Sequence, residues 1–262
     1  MTSPIAAMPN FRDAGGHPIE DGGRMRRGIL YRSDQISGLG HEGEARLESV
    51  GLRTVYDLRT AAEVAIDPGH TPAGVRRVSL DVLADERDGA PARIIAMLAN
   101  PRAATTELGG GRAEEMFRRV YRSLVSTPSA ISGYRSLYLG LLEEQGSPAL
   151  VHCTTGKDRT GWACAALQSL VGVPRDAVYA DFLASTPRIL GKYQTHLEAF
   201  AAAGGDPDVL TPVLGVLPGY LDAAFDEVRT RHGSVERYFV EGLGIEDAAV
   251  AALRRRLVEP AA

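Results

Sequence analysis

The sequence predicts an α/β fold in which helices flank a mostly parallel central sheet. Three observations carry this expectation. Short apolar runs at residues 28–32 (GILYR), 53–58 (RTVYDL), 75–80 (VRRVSL) and 148–152 (PALVH) read as strands. Helix-patterned segments alternate with them, the arrangement of parallel strands joined by helical crossovers. At 262 residues, with 44% hydrophobic and 24% charged side chains, the chain buries a large core without needing a metal or disulfide staple.

Each element has its own local reason. Between the first two strands, HEGEARLESVG (41–51) reads as a helix closed by Gly51. ELGGG (107–111) reads as a loop. After it, EEMFRRVYRSLV and SGYRSLYLGLLEE carry apolar residues at three- and four-residue spacing, which is helical. From Gly161 onward the pattern is helical, broken by GGDPD (204–208) and around Pro212 and Pro218. The last helix, AAVAALRRRLVE, ends in Arg254, Arg255 and Arg256, where positive charge complements the helix dipole. No internal repeat or linker interrupts residues 1–262, so one domain is expected.

Charge and cysteine usage narrow the function. With 29 basic against 33 acidic residues and a formal charge of -4, the chain lacks the basic balance of a duplex-binding protein. The arginine run near the end reads as a solvated helix terminus. Two cysteines make no disulfide framework and suit a reducing compartment. The opening MTSPIAAMPN has neither a basic nor an apolar signal region, and no stretch approaches the ~20 apolar residues of a membrane span. The expectation is a cytoplasmic protein with no nucleic-acid partner and no stable membrane anchor. Export without a classical signal, and the oligomeric state, stay open.

The chemistry concentrates in VHCTTGKDRT (151–160). An apolar strand ends at His152 and a helix-forming run begins at Gly161, so Cys153 to Arg159 span a strand-to-helix turn. Such a turn aims successive backbone N–H groups inward as an anion nest, and the following helix adds its positive end. Thr154, Thr155, Gly156, Lys157, Asp158 and Arg159 are the residues expected to bind phosphate. A thiol beside Arg159 and Lys157 is favoured as thiolate, the form that attacks phosphorus. Arg159 has the planar fork to grip two phosphoryl oxygens. The competing reading, Cys153 as a small buried hydrophobe, leaves the Gly, Lys, Asp, Arg and Thr around it unexplained. A Walker A loop needs Gly at 151 and Ser or Thr at 158, where Val151 and Asp158 stand.

HCTTGKDRTG resembles the Cys-x5-Arg signature of cysteine-dependent tyrosine phosphatases. Asn10 to Gly16 (NFRDAGG) is similar to the opening of the bacterial family typified by mycobacterial protein tyrosine phosphatase B. RSD (32–34), DLR (57–59), ADFL (180–183) and the tail from Arg231 to Ile245 follow in the family's order, so the resemblance covers nearly the whole chain. It implies the cysteine-phosphatase fold, a two-step mechanism without metal or cofactor, and activity on phosphotyrosine. Some relatives also accept phosphoserine, phosphothreonine or phosphoinositides. It further implies that residues 189–228, two apolar-striped helices around GGDPD, form a lid-like insertion over the site.

Supporting roles are assigned in outline. The leaving oxygen needs a proton, for which Asp158, inside the loop, and Asp81, after the third strand, are the two candidates. The Trp-Pro-Asp triplet of many tyrosine phosphatases is absent, since Trp162 is the only tryptophan. His152 is expected to orient the loop, and Thr160 to donate its hydroxyl to the Cys153 sulfur or cap the helix. Arg12 and Asp13 are expected to pair with each other. Cys164 reads as packing. Asp85, Glu86 and Asp88 read as a solvated loop, and the six histidines show no metal-ligand spacing. Gly38, Gly40 and Gly43 match a dinucleotide fingerprint, but polar SDQIS separates them from the preceding strand, so they read as a loop.

Overall fold

A computed structural model describes residues 5–86 and 101–261. Each of the four predicted strands forms to within two residues. The central sheet runs β1 (Arg12–Asp13), β3 (Leu30–Ser33), β6 (Ala149–His152), β4 (Thr54–Asp57), β5 (Arg76–Ser79). Its last four strands are parallel, and β1 lies antiparallel on β3. A separate ladder pairs β2 (Arg24–Met25) with β7 (Val258–Glu259), too short to be read locally.

Side chains alternate across the sheet with the strand period of two. Leu30, Tyr56, Ala149 and Val151 enter the larger core, which runs from Ala14 to Leu257. Tyr31, Val55 and Leu150 enter a smaller core with Phe11, Ile36 and Leu47. Burial on both faces explains why these strands read as continuous apolar runs. The register sets Ser33, His152 and Asp57 side by side at the strands' carboxyl ends. In an open α/β sheet, that edge is where ligands bind.

Helix α1 (His41–Ser49) is followed by Gly51 at φ +68°, as expected. Helix α2 (Ala61–Ile66) is closed at its start by a reciprocal cap between Thr60 and Glu63. Helix α3 (Pro101–Leu108) extends into the segment read as a loop, which begins only at Gly109. Helices α4 (Arg112–Ser126) and α5 (Pro128–Gly140) carry the predicted apolar stripes. In α4 these are Ala113, Phe117, Tyr121, Leu124 and Val125, at helical spacing on one face. Helix α6 (Arg159–Leu170) is buried along almost its whole length and forms the centre of the molecule. Helices α7 (Arg175–Leu183), α8 (Ser185–Ala202), α9 (Pro218–His232) and α10 (Asp247–Leu257) follow, and the connections between the last three carry short helical segments at Pro207–Val209, Thr211–Leu214, Val235–Arg237 and Tyr238–Gly242. No helix among the described residues is long and apolar enough to cross a membrane.

The two long helices that contribute to residues 189–228 differ in environment. Helix α9 buries Tyr220, Leu221, Ala224 and Val228, with Tyr220 stacked on Phe117 of α4 at 5.2 Å. Helix α8 buries only Ser185, Ile189 and Phe200 and turns most of its length outward.

Arg12 and Asp13 do not pair with each other. As strand neighbours they point to opposite faces. Arg12 instead meets Asp181 of α7 at 2.7 Å, while Asp13 accepts from the amides of Gly15 and Gly28. Of the acidic group, Asp85 accepts from the Ser129 amide at 2.6 Å, and Asp88 lies outside the described residues. Among the described residues no group of three or more His, Cys, Asp or Glu side chains is placed to hold a metal ion.

Candidate active site

The loop between β6 and α6 folds as a cradle because its carbonyls are held outward. The Thr154 carbonyl accepts from the Gln35 amide (3.1 Å), Thr155 from Asn10 Nδ2 (2.9 Å) and Gly156 from Arg32 Nη2 (2.9 Å). A peptide's C=O and N–H point opposite ways, so each fixed carbonyl turns the following amide to the other side. The amides of residues 154–158 donate to no protein group among the described residues. Gly156 sits at φ +67°, and a Cβ there would lie 2.1 Å from the Ser33 carbonyl. Only glycine fits that turn against β3. Cys153, 1% exposed, begins the cradle at the end of β6, and the N-terminus of the 12-residue α6 closes it.

Arg159 is the first residue of α6, and the structure adds a partner that spacing did not reveal. Its Nη1 and Nη2 donate to Glu63 Oε2 and Oε1 at 2.6 and 2.7 Å, and Nη1 also reaches the Leu58 carbonyl at 3.3 Å. The terminal edge of the guanidinium, expected to meet phosphate, is thus taken by Glu63. One N–H on Nη2 and the one on Nε remain, forming a side edge that can still hold two phosphoryl oxygens. Glu63 also accepts from the Thr154 hydroxyl and from the Thr60 amide. Burial alone pushes the Glu63 carboxyl up, but hydrogen bonds and charge from Arg159 outweigh it and bring the group down to about 2. The sequence signal was Thr60-x-x-Glu63, a capping box directly after DLR at a strand's carboxyl end.

The remaining predicted residues are placed as follows. Lys157 lies over the Phe117 ring, 4.7 Å from its centroid, and binds Asp158 Oδ2 at 2.7 Å. Asp158 also accepts from the Tyr121 hydroxyl at 3.0 Å. Asp81 caps backbone instead, accepting from the amides of Ala61 (3.3 Å) and Leu83 (3.1 Å). His152 Nδ1 lies 3.1 Å from the Cys153 carbonyl, which can only accept, so the ring donates there. Burial brings its pKa down to about 4 against the pull of Asp57, which keeps the His152 ring neutral at pH 7. The Thr160 hydroxyl is buried with no hydrogen-bond partner among the described residues, so the expected bond to the Cys153 sulfur is not made. Cys164 is buried and unbridged, its thiol pushed up to about 11 by burial, as fits packing. Gly38 and Gly40 lie in the connection from β3 to α1 and Gly43 within α1, with no strand entering the glycine run.

A pH dependence of stability follows from these groups. Glu63 falls from 4.5 to about 2 on folding, and its contribution is lost as pH drops through that window. Asp57, bonded to Arg59 and Arg77, and Asp181, between Arg12 and Arg32, are also held well below 3.8 and act in the same direction. His152 is lowered from 6.5 to about 4, so the unfolded chain takes up its proton first and stability falls from pH 6.5 downward. His152 and Glu63 are each worth on the order of 3 kcal/mol. Thermal melts at constant ionic strength are expected to show Tm falling continuously from about pH 6.5 to pH 3. A Tm that rises on acidification contradicts this assignment.

The structure brings backbone amides, a guanidinium and a thiol together at the carboxyl end of a parallel sheet, the set of groups that phosphatase chemistry uses. Comparison with known proteins agrees over the whole length. The model of a tyrosine phosphatase family matches residues 3–259. A chain of Cupriavidus necator named as a tyrosine-protein phosphatase is 32% identical over 243 residues, 92% of this chain and 84% of its own. The triple specificity protein phosphatase PtpB of Mycobacterium tuberculosis is 31% identical over 273 aligned positions, 94% of this chain and 95% of its own. The chain belongs to the tyrosine phosphatase family and is a phosphatase.

Proposed function

We propose that this phosphatase works through Cys153, without metal, and hydrolyses phosphotyrosine together with phosphoserine, phosphothreonine and phosphoinositide monoesters. The observation that carries the reading is the outward pinning of three successive carbonyls, which leaves a ring of amides around the phosphate position beside Cys153. In the first step the Cys153 sulfur attacks phosphorus, the ester P–O bond breaks, and Asp158 gives its proton to the leaving oxygen. In the second step Asp158 takes a proton from water, whose oxygen attacks phosphorus and breaks the S–P bond. Inorganic phosphate leaves and the thiolate returns. The loop amides and the free edge of Arg159 stabilise charge on the equatorial oxygens in both steps.

Asp158 is preferred to Asp81 as the proton carrier because it lies inside the loop beside Arg159, held there by Lys157 and the Tyr121 hydroxyl, whereas Asp81 lies outside the loop and caps the amides of Ala61 and Leu83. His152, which donates to the Cys153 carbonyl, orients the loop rather than exchanging protons. A lid role for residues 189–228 is best assigned to α8, since α9 is packed into the core. Lys192 of α8 reaches the buried Asp34 at 2.6 Å, next in sequence to the Gln35 that pins Thr154. The breadth of substrates is suggested by the name of the mycobacterial relative.

Phosphate release from a panel of the four monoester types, with excess EDTA throughout, tests the reading. Turnover of phosphotyrosine and of at least one other type, unaffected by the chelator, is expected. Loss on chelation that a divalent cation restores contradicts the mechanism. A phosphate-binding module without catalysis gives no release from any member.

A further inference from the structure

We infer that Asn10 is a positioning residue of the phosphate cradle: its side-chain amide pins the Thr155 carbonyl outward and so aims the Gly156 N–H at the phosphate. The proposal rests on the function proposed above. Asn10 is fully buried, far in sequence from the loop, and its orientation is unambiguous. Its Oδ1 and its carbonyl both accept from Arg12 Nη1, at 2.5 and 2.9 Å. A guanidinium can only donate and the Thr155 carbonyl can only accept, so Nδ2 must face Thr155. The pin is anchored in turn. Arg12 is fixed by Asp181 (2.7 Å) and by the Ser185 hydroxyl at the start of α8 (3.1 Å), and the Asn10 amide donates to Asp34 (3.2 Å).

Of the three pinned peptides, the Thr155–Gly156 unit has most need of a restraint. A peptide flip changes ψ of the first residue and φ of the second, and the second here is glycine, which tolerates either sign of φ. A flip would withdraw one N–H and point a carbonyl oxygen into the anion's place. The neighbouring pins are a main-chain amide, from Gln35, and Arg32, which also binds the buried Asp181. Asn10 is therefore the one whose donor can be removed alone.

The test is calorimetric binding of inorganic phosphate to Cys153→Ser as reference and to the same chain carrying Asn10→Ala or Asn10→Asp. Asn10→Ala is expected to weaken binding about tenfold, the loss of roughly one charge-assisted hydrogen bond, while near-UV circular dichroism stays native. Asn10→Asp keeps an oxygen for Arg12 but has no donor for Thr155, so it must also bind weakly. Because its carboxylate by itself repels an anion, undiminished binding is its decisive outcome, and that outcome overturns the proposal even if Asn10→Ala does not fold. Binding within about twofold of the reference in either folded variant overturns the proposal. That result would leave Asn10 a structural anchor for Arg12 only. If the Cys153→Ser reference retains wild-type turnover, the catalytic reading fails, yet the Asn10 comparison is still decided by phosphate affinity. If the reference binds no phosphate, both fail.

Discussion

Cys153→Ser is expected to lower turnover by a factor on the order of 10⁴ or more while inorganic phosphate still binds. The two halves of this result come from different atoms. The proposed nucleophile is a single sulfur at the end of β6, 1% exposed, and a hydroxyl at that place is a far poorer nucleophile at neutral pH. The proposed anion site draws on groups the substitution leaves alone: the loop amides, the N-terminus of α6 and the side edge of Arg159. Those groups are positioned from outside the loop by Gln35, Asn10, Arg32 and Glu63. Steady-state kinetics with para-nitrophenyl phosphate, combined with phosphate calorimetry, checks both halves. Turnover near that of the wild type contradicts a covalent role for the sulfur. Loss of phosphate binding along with turnover places the fault in the cradle instead.

Arg159→Lys, which keeps the charge, is expected to lower kcat by about 10²- to 10³-fold. The structure gives a stronger reason than fork geometry alone. Glu63 holds the terminal edge of Arg159 at 2.6 and 2.7 Å, and the guanidinium still has two N–H groups to spare along its side. A lysine ammonium at this place would be captured by Glu63, with no fixed pair of donors left for the equatorial oxygens. Part of the loss is therefore expected in KM as well, because the side edge binds both substrate and transition state. A change in kcat below about threefold contradicts two-point contact by Arg159.

Local pattern carried the sequence reading well where chemistry and structure are both local. Strands β3, β4 and β6 were legible because their apolar runs end in turn residues and burial on both faces leaves little polar interruption. The edge strand β5, with no fully buried residue, was legible from Val75, Val78 and Leu80. The strand-to-helix loop was legible because Cys153, the glycine turn, Arg159 and the helix start lie within eight residues of chain. What escaped lies across the fold. Glu63 was visible as a capping residue, but nothing in residues 60–63 tells that the helix they start stands opposite Arg159. Arg12 was assigned to its neighbour Asp13, whereas strand alternation sends it to Asp181, 169 residues away. The apolar stripes of α8 and α9 look alike in sequence. The structure separates them: α9 buries Tyr220, Leu221, Ala224 and Val228 and stacks Tyr220 on Phe117, so it belongs to the core. Periodicity says that a face is buried and not against what.

The most direct test of the central claim is rapid-quench mass spectrometry of the Cys153 peptide during turnover of a phosphotyrosine substrate. The account predicts a phosphoryl group on Cys153 that appears before phosphate release, decays as phosphate is formed, and is absent from the Cys153→Ser variant. Full turnover with no phosphoryl group on Cys153 at any time, and inversion rather than retention of configuration at a chirally labelled phosphorus, would show direct attack by water and contradict it.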